Sequence, residues 1–128
     1  KPDIQDKKFV EIAGTRINVK LAATPEERER GLSGSEKLQE DEGLLFVFDE
    51  PGEYVFWMKD MNFAIDIIWI LESETGDKRI AYIKKDAKPD SYPETFGDGV
   101  IAKYVLEVNS GFSEKNNLKK GDKIEFSL

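Results

Sequence analysis

Short stretches in which apolar and polar residues alternate recur along the chain, separated by turn-forming residues. In the clearest of them, Ile17, Val19 and Leu21 alternate with polar neighbours, which is the period-two pattern of a strand with one buried face. The Ala13-Gly14 turn connects this run to a β-prone segment at 9–12 and predicts a hairpin. Further strands are predicted at 44–48, 54–58, 65–71, 79–84, 100–108 and 123–127.

The apolar runs at 44–48 and 54–58 lie on either side of the Pro51-Gly52 dipeptide. Because this dipeptide is a turn signal, the two runs are predicted to pair with each other. The last two strands are connected by 111–117, which can form at most two helical turns.

A short helix is predicted to begin after Thr24. The hydroxyl of Thr24 can accept a hydrogen bond from the amide of Glu27, and the Glu27 side chain can reach back to complete a capping box. Pro25 suits the first helical position, and Gly31 ends the helix. Six or seven strands with only two short helices predict a mostly β fold, a barrel or a sandwich, rather than an alternating βαβ sheet.

The length of 128 residues fits one domain. We predict a flexible N-terminal segment at 1–8 and a single β-rich domain at 9–128. The longest apolar stretch, 63–71, contains an aspartate and is about half the length of a bilayer span, so no transmembrane segment is expected and the domain is expected to be soluble. The chain opens at Lys1 rather than at a methionine, which suggests a trimmed or processed form.

Composition restricts the chemistry that the chain can perform. It contains neither cysteine nor histidine, which removes thiolate nucleophiles, zinc-thiolate sites and the commonest general base. The net charge of −7 disfavours nucleic acid as a partner. The acidic connection at 86–99 does not match the spacing of a calcium-binding loop. We therefore predict no catalytic residue, no metal ligand and no cofactor.

Three motifs, in this order and spacing, carry a resemblance to a known family. They are Glu27-Arg28-Glu29-Arg30-Gly31-Leu32, Gly43-Leu44-Leu45-Phe46-Val47-Phe48, and Phe56-Trp57-Met58-Lys59 followed by Ile65-Asp66-Ile67. With them the chain resembles the bacterial and archaeal domain-of-unknown-function family numbered 192, from about residue 17 to residue 128. The resemblance implies a small β-rich domain, often behind an export signal or a lipoprotein anchor, and implies no activity.

The chain departs from the family pattern near its most specific motif. Where the family usually carries Asn and Thr after the lysine, this chain has Asp60 and Met61, and Ala64 stands where the family usually has proline. Ser35 replaces a basic residue that is expected soon after the Gly-Leu pair. A ligand that relied on those side chains would be bound differently by this protein.

The segment from Trp57 to Asp66 combines large apolar surfaces, a cation, acids and an amide between two strands. If Phe56 and Met58 point into the core, strand alternation places Trp57 and Lys59 on the opposite face, where an indole beside an ammonium group could hold a sugar ring or an anion. The predicted ligand-binding residues are Arg28, Trp57, Lys59, Asp60, Asn62 and Asp66. The alternative is that Trp57 fills the core and that Lys59 and Asp66 form a structural ion pair.

A buried Asp66 would need a partner, and Lys59, Arg28 or backbone amides could supply it. Three functions remain open. The first is a small extracytoplasmic binding or accessory domain with a ligand or partner site near Trp57, Lys59 and Asp66. The second is a carboxylate-based hydrolase of glycosidic bonds that uses Asp66 and an acid from 86–99. The third is a structural interaction domain without a pocket.

Overall fold

The structure is a computed structural model that describes residues 7–128. Its strands are β1 (Phe9–Ile12), β2 (Thr15–Ala22), β3 (Glu42–Glu53), β4 (Phe56–Trp57), β5 (Ile65–Glu72), β6 (Lys78–Ala87), β7 (Thr95–Phe96), β8 (Ile101–Asn109) and β9 (Lys123–Ser127). Its helices are α1 (Pro25–Arg30) and α2 (Phe112–Lys115), and a 3₁₀ turn spans Pro89–Ser91.

Seven of these strands close into a barrel in the order β1–β2–β3–β8–β5–β6–β9, while β4 and β7 form a separate two-stranded sheet. Neighbouring strands of the barrel are antiparallel except β2 and β3, which are parallel because α1 and the chain after it carry β3 back to the starting end of β2. The predicted mostly β fold with two short helices is confirmed, and the sheet closes as a barrel.

The predicted pairing of 44–48 with 54–58 is wrong. β3 continues past Phe48 through Pro51-Gly52 to Glu53 and pairs with β2 and β8. Pro51 is tolerated within the strand because the pairing with β8 is irregular between Val47 and Gly52, where no regular ladder needs its missing N–H. The shorter β4 pairs instead with β7, which lies within the connection that followed β6 in the sequence.

The barrel wall buries apolar side chains on both of its faces. Inside the barrel, one cluster includes Leu45, Ile68 and Leu106. On the outer face, a second cluster forms where β4, β7 and the turn after α1 cover the wall, and it includes Phe46 and Trp69. Both faces of β5 are therefore buried, which explains why its apolar run is continuous rather than alternating.

The predicted boundary between an N-terminal segment and the domain lies next to β1, which begins at Phe9. Residues 1–6 of that predicted segment lie outside the described part of the chain. Between residues 7 and 128, no helix is long and apolar enough to cross a membrane.

Candidate functional site

A pocket of about 420 Å³ opens between α1, the turn that follows it, and the segment that connects β3 to β4. We call it the α1–β4 pocket. Its walls are largely aromatic, and its rim carries charged side chains. One buried carboxylate, that of Glu107, also lines it. The aromatic residues that line it are Phe46, Phe48, Tyr54, Phe56 and Trp57.

These aromatic walls are fixed by contacts among the rings themselves. Phe46 and Phe56 meet edge to face with 4.8 Å between ring centroids, and Phe48 and Tyr54 stack at 3.6 Å. The alternation along β3 places Phe46 and Phe48 on the outer face of the barrel, toward the pocket. The walls are therefore built from side chains that also form the outer apolar cluster.

The side chains of Trp57 and Lys59 both lie at the rim of the pocket. Strand alternation buries the intervening Met58, which is 1% exposed, and leaves Trp57 47% exposed. The Lys59 ammonium lies 5.7 Å from the centroid of the Trp57 ring, within the range of a cation–π contact. Tyr92, from the connection between β6 and β7, contacts Trp57 with 5.1 Å between ring centroids but does not itself line the pocket.

Arg28 lines the pocket, but its guanidinium group is already engaged. It donates hydrogen bonds to the carbonyls of Ala23 at 2.6 Å and Val47 at 2.9 Å, and it lies 5.2 Å from the centroid of the Phe48 ring. The predicted capping box of Thr24 and Glu27 is present at the start of α1. Arg28 thus attaches α1 to β3 and sets the width of the pocket on that side.

Asp60 and Asn62 lie next to the pocket and are not among its lining residues. The Asp60 carbonyl accepts a hydrogen bond from the amide of Gly34 at 3.0 Å, and the Asn62 side chain donates to the carbonyl of Ser35 at 2.9 Å. A third hydrogen bond connects the Ser33 hydroxyl to the Lys59 carbonyl. These bonds hold the turn after α1 against the segment that carries Lys59.

Asp66 lies apart from Trp57 and Lys59. It is 0% exposed, and β5 alternation turns it to the opposite face from Ile65 and Ile67, which pack in the outer cluster. Its carboxylate accepts hydrogen bonds from the backbone amides of Asp86 at 2.8 Å, Ser113 at 2.8 Å and Gly111 at 3.4 Å. Of the three partners considered from the sequence, backbone amides are the ones present.

Glu107 is a buried acid of the pocket that was not predicted from the sequence. It is 4% exposed and lines the α1–β4 pocket, and the residues opposite it on β3 and β5 are the buried Leu44 and Ile67. No described residue donates a hydrogen bond to its carboxylate or forms an ion pair with it. The signal was available, because Glu107 interrupts the apolar run of β8 just as Asp66 interrupts that of β5.

Burial raises the pKa of the Glu107 carboxyl from the ordinary value of 4.5 to about 8. Desolvation is the cause, since the charged form loses water and gains no hydrogen bond or counter-charge in exchange. At neutral pH Glu107 is therefore largely the neutral acid. In this form the carboxyl group can both donate and accept a hydrogen bond.

The remaining charges of the pocket lie at its rim. Arg30 and Lys59 are exposed cations, and Glu29 and Glu53 are exposed acids. Glu53 accepts a hydrogen bond from the amide of Gly99. Over residues 7–128, no three acidic side chains are grouped closely enough to hold a metal ion.

Known structures include close matches to this fold. One is a protein from Sinorhizobium meliloti that was provisionally called a transcription regulator, with 28% identity and a TM-score of 0.82 over 94% of this chain and 92% of that chain. Another is a protein of unknown function from Novosphingobium aromaticivorans, with 29% identity and a TM-score of 0.78 over 93% of this chain and 83% of that chain.

A comparison with curated proteins gave no match. The sequence profile of the family DUF192, described as "Uncharacterized ACR", matches residues 8–126. The motifs on which the resemblance rested contribute residues from α1, β3 and β4 to the lining of the α1–β4 pocket, whereas Ile65-Asp66-Ile67 in β5 does not line it. The chain belongs to the DUF192 family.

Proposed function

We propose that this domain is a binding module for a small organic molecule that enters the α1–β4 pocket, and that it works outside the cytoplasm. The observation that carries the proposal is the Glu107 carboxylate, which is buried, has no partner among the described residues and lines a pocket. Buried polar groups in native proteins are nearly always hydrogen-bonded. Among residues 7–128, the buried side-chain oxygen that is fully enclosed without a hydrogen bond is the Ser113 hydroxyl. The Glu107 carboxylate instead opens onto the pocket, where a ligand can supply its hydrogen bond.

The burial of Glu107 favours a ligand site over a purely structural role for this residue. Burial disfavours the charged form of Glu107, which raises its pKa to about 8. The chain satisfies its other buried acid, Asp66, with three backbone amides. A residue that costs stability and opens onto a concave, aromatic-walled site is typical of a functional position.

The composition of the pocket also fits a small ligand. Its volume of about 420 Å³ lies within the range of about 300–1,000 Å³ that is usual for small-molecule sites. The exposed Trp57 offers a flat apolar surface at the mouth, and Lys59 offers a charge beside it. Aromatic walls with a few polar groups bind a ring or a short chain and orient it.

The other functions have less support. The hydrolase hypothesis used Asp66, whose carboxylate is taken up by backbone amides away from the pocket. A DNA-binding role, which the provisional name of the Sinorhizobium meliloti protein would suggest, is disfavoured by a net charge of −7. A partner domain without a pocket would leave Glu107 unexplained.

The extracytoplasmic part of the proposal is supported by the family resemblance, because members often follow an export signal or a lipoprotein anchor. Cell fractionation with an antibody against this domain tests it in the source organism. We expect the protein in the periplasmic, envelope or secreted fraction, and recovery with the cytosolic markers would contradict this part alone.

The binding proposal can be tested by screening a fragment library against ¹⁵N-labelled protein. The chain has two tryptophans, so its spectrum contains two indole N–H signals. Only Trp57 lines the pocket, while the fully buried Trp69 donates its indole N–H to the Tyr54 carbonyl at 2.8 Å. We expect some fragments to shift the Trp57 signal together with the amides of Gly31 and Ser33.

The control for the screen is a pair of alanine variants at exposed apolar positions. Trp57→Ala should weaken the fragments that bind, whereas Leu71→Ala, an exposed residue that does not line the pocket, should leave them unchanged. A library in which no fragment shifts the pocket amides, or in which Trp57→Ala has no effect, would remove the binding proposal.

A further inference from the structure

We infer that the ligand of the α1–β4 pocket is a zwitterion with an apolar body, in the size range of an amino acid, which directs a cationic nitrogen to Glu107 and an anionic group to the rim. The inference rests on the proposed binding function and names the class of ligand. It follows from the way charge is distributed between the interior and the mouth of the pocket.

The interior of the pocket is suited to a cation. The Glu107 carboxylate is its buried charged group, and the residues opposite it, Leu44 and Ile67, offer no counter-charge. A cationic N–H group would satisfy the carboxylate with a charge-assisted hydrogen bond, the stronger kind. Phe46 and Phe56 line the same space, and aromatic rings attract a cation that lies over their faces through the ring quadrupole.

The rim of the pocket is suited to an anion. Lys59 and Arg30 are exposed there, and neither forms an ion pair with an acid within residues 7–128. Arg28 is committed to two backbone carbonyls, so its guanidinium group holds α1 in place. The rim acid Glu53 is occupied by the Gly99 amide. Lys59 and Arg30 are therefore the cations available to a ligand carboxylate.

An apolar body would join the two charged ends. Aromatic residues line the pocket together with the buried Glu107 and the exposed Lys59 and Arg30, and Trp57 lies beside Lys59. A ligand with only an anionic group could pair with the rim cations, but it would bring no positive charge to Glu107, which would keep its proton. A ligand with only a cationic group would leave the rim cations unused and would bind more weakly than the zwitterion.

Binding of a cation to Glu107 requires the carboxylate form, so a proton leaves Glu107 when the ligand binds. The charged or titratable side chains that line the pocket with Glu107 are Arg28, Glu29, Arg30, Glu53, Tyr54 and Lys59. Because the pKa of Glu107 is about 8, the fraction of Glu107 in the carboxylate form rises about 50-fold between pH 6 and pH 8. The affinity for a cationic probe should rise by a similar factor.

Three probes with a shared phenyl ring separate the charge requirements: L-phenylalanine carries both charges, benzylamine only the cation and 3-phenylpropionate only the anion. Affinities are measured at pH 7.5 from the shifts of the pocket amides and of the Trp57 indole. We expect phenylalanine to bind most tightly and benzylamine and 3-phenylpropionate, which each lack one charge, to bind more weakly. For benzylamine we also expect the stated rise between pH 6 and pH 8.

Matched variants assign each end of the probe. Glu107→Gln keeps the shape of the side chain and removes its charge, and it should weaken phenylalanine and benzylamine at least 10-fold. Lys59→Met should weaken phenylalanine about 5-fold and leave benzylamine unchanged. Glu74→Gln, an exposed acid in the turn between β5 and β6 that does not line the pocket, serves as the control for loss of one negative charge and should alter neither probe. The amide spectrum of each variant verifies that the fold is kept.

Failure of this inference can be distinguished from failure of the proposed function. If 3-phenylpropionate binds the pocket as well as phenylalanine, or if Glu107→Gln leaves phenylalanine unaffected, the zwitterion is wrong. If none of the three probes shifts the pocket signals, the zwitterion is also wrong, and the fragment library alone then decides whether the pocket binds small molecules.

Discussion

Two acids in the described part of the chain are buried in strands, and they differ in their hydrogen-bond partners. Asp66 receives hydrogen bonds from three backbone amides and ties β5 to β6 and to the start of α2. Glu107 receives none from a described residue and lines a pocket. The sequence shows the same pattern for both, an acid within an apolar run, so the pattern alone indicates burial but not the source of the partner. That difference depends on which backbone amides the fold brings near each carboxylate.

Replacing Glu107 by glutamine should change how stability depends on pH. Between the ordinary pKa of 4.5 and the folded value of about 8, the native protein holds a proton that the unfolded chain has released. The free energy of unfolding therefore falls as pH rises through this interval. Glu107→Gln removes the titration, and the variant should be more stable than the parent at pH 9 by an amount on the order of a few kcal/mol.

Urea unfolding followed by tryptophan fluorescence at pH 4, 6 and 9 measures this dependence. At pH 4 the parent and Glu107→Gln should be closely similar, since both then carry a neutral side chain. Glu29→Gln is the control, because Glu29 is exposed and its loss should leave the pH profile of the parent in place. A parent whose stability is flat from pH 5 to pH 9 would show that Glu107 ionises without cost.

The individual elements were largely predictable, and the partners of the elements were not. The alternation in β2 and the capping box of α1 are local signals, and both appear where the sequence places them. The partner of β4 is β7, about 40 positions further along the chain, and a two-residue strand has too little pattern to reveal it. Pro51-Gly52 looked like a hairpin turn because an irregular strand and a turn use the same residues.

Gly97, which directly follows β7, allows the small β4–β7 sheet to pack closely on the barrel. Its φ is +94°, and a Cβ atom at this position would lie 2.5 Å from the Trp69 ring. Gly97→Ala should therefore lower the free energy of unfolding by about 1–2 kcal/mol, because alanine disfavours the left-handed conformation. The steric overlap with a fully buried indole should lower it by about 1–3 kcal/mol more.

Gly99 offers a matched control two residues away. Its φ is +80°, but no atom lies within 4 Å of a Cβ built there, so Gly99→Ala should show only the conformational cost. The comparison is made by thermal or urea unfolding of both variants. Equal losses would mean that contact between Gly97 and Trp69 does not limit the packing of β7.

At the scale of the whole molecule, the pocket exists because the fold brings three distant segments together. Residues 28–33, several residues between 46 and 61, and Glu107 line it. Of these, Arg28, Trp57 and Lys59 were predicted as ligand-binding residues. β3 pairs with both β2 and β8, and this arrangement places Glu107 beside the outer face of β3. Since the parallel pairing of β2 with β3 depends on α1 crossing over the barrel, no local sequence pattern could reveal the position of Glu107.

The same barrel should open first where its ladder is shortest. β6 and β9 share only the register pairs Lys78↔Ile124 and Arg79↔Lys123 among the described residues, with two further backbone hydrogen bonds between Ile80 and the 121–122 turn. β5 and β8, in contrast, pair over six positions, from Ile65↔Asn109 to Ile70↔Tyr104. Local opening needs little free energy where few backbone hydrogen bonds and few apolar contacts must be broken.

Amide hydrogen exchange under native conditions measures this difference strand by strand. We expect the amides of β9 to exchange at least 10-fold faster than the central amides of β5 and β8, because β9 can separate from β6 while the rest of the sheet stays paired. The opening should leave the α1–β4 pocket intact, since neither β6 nor β9 lines it. Protection of β9 equal to that of β5 would show that the closed barrel unfolds only as one unit.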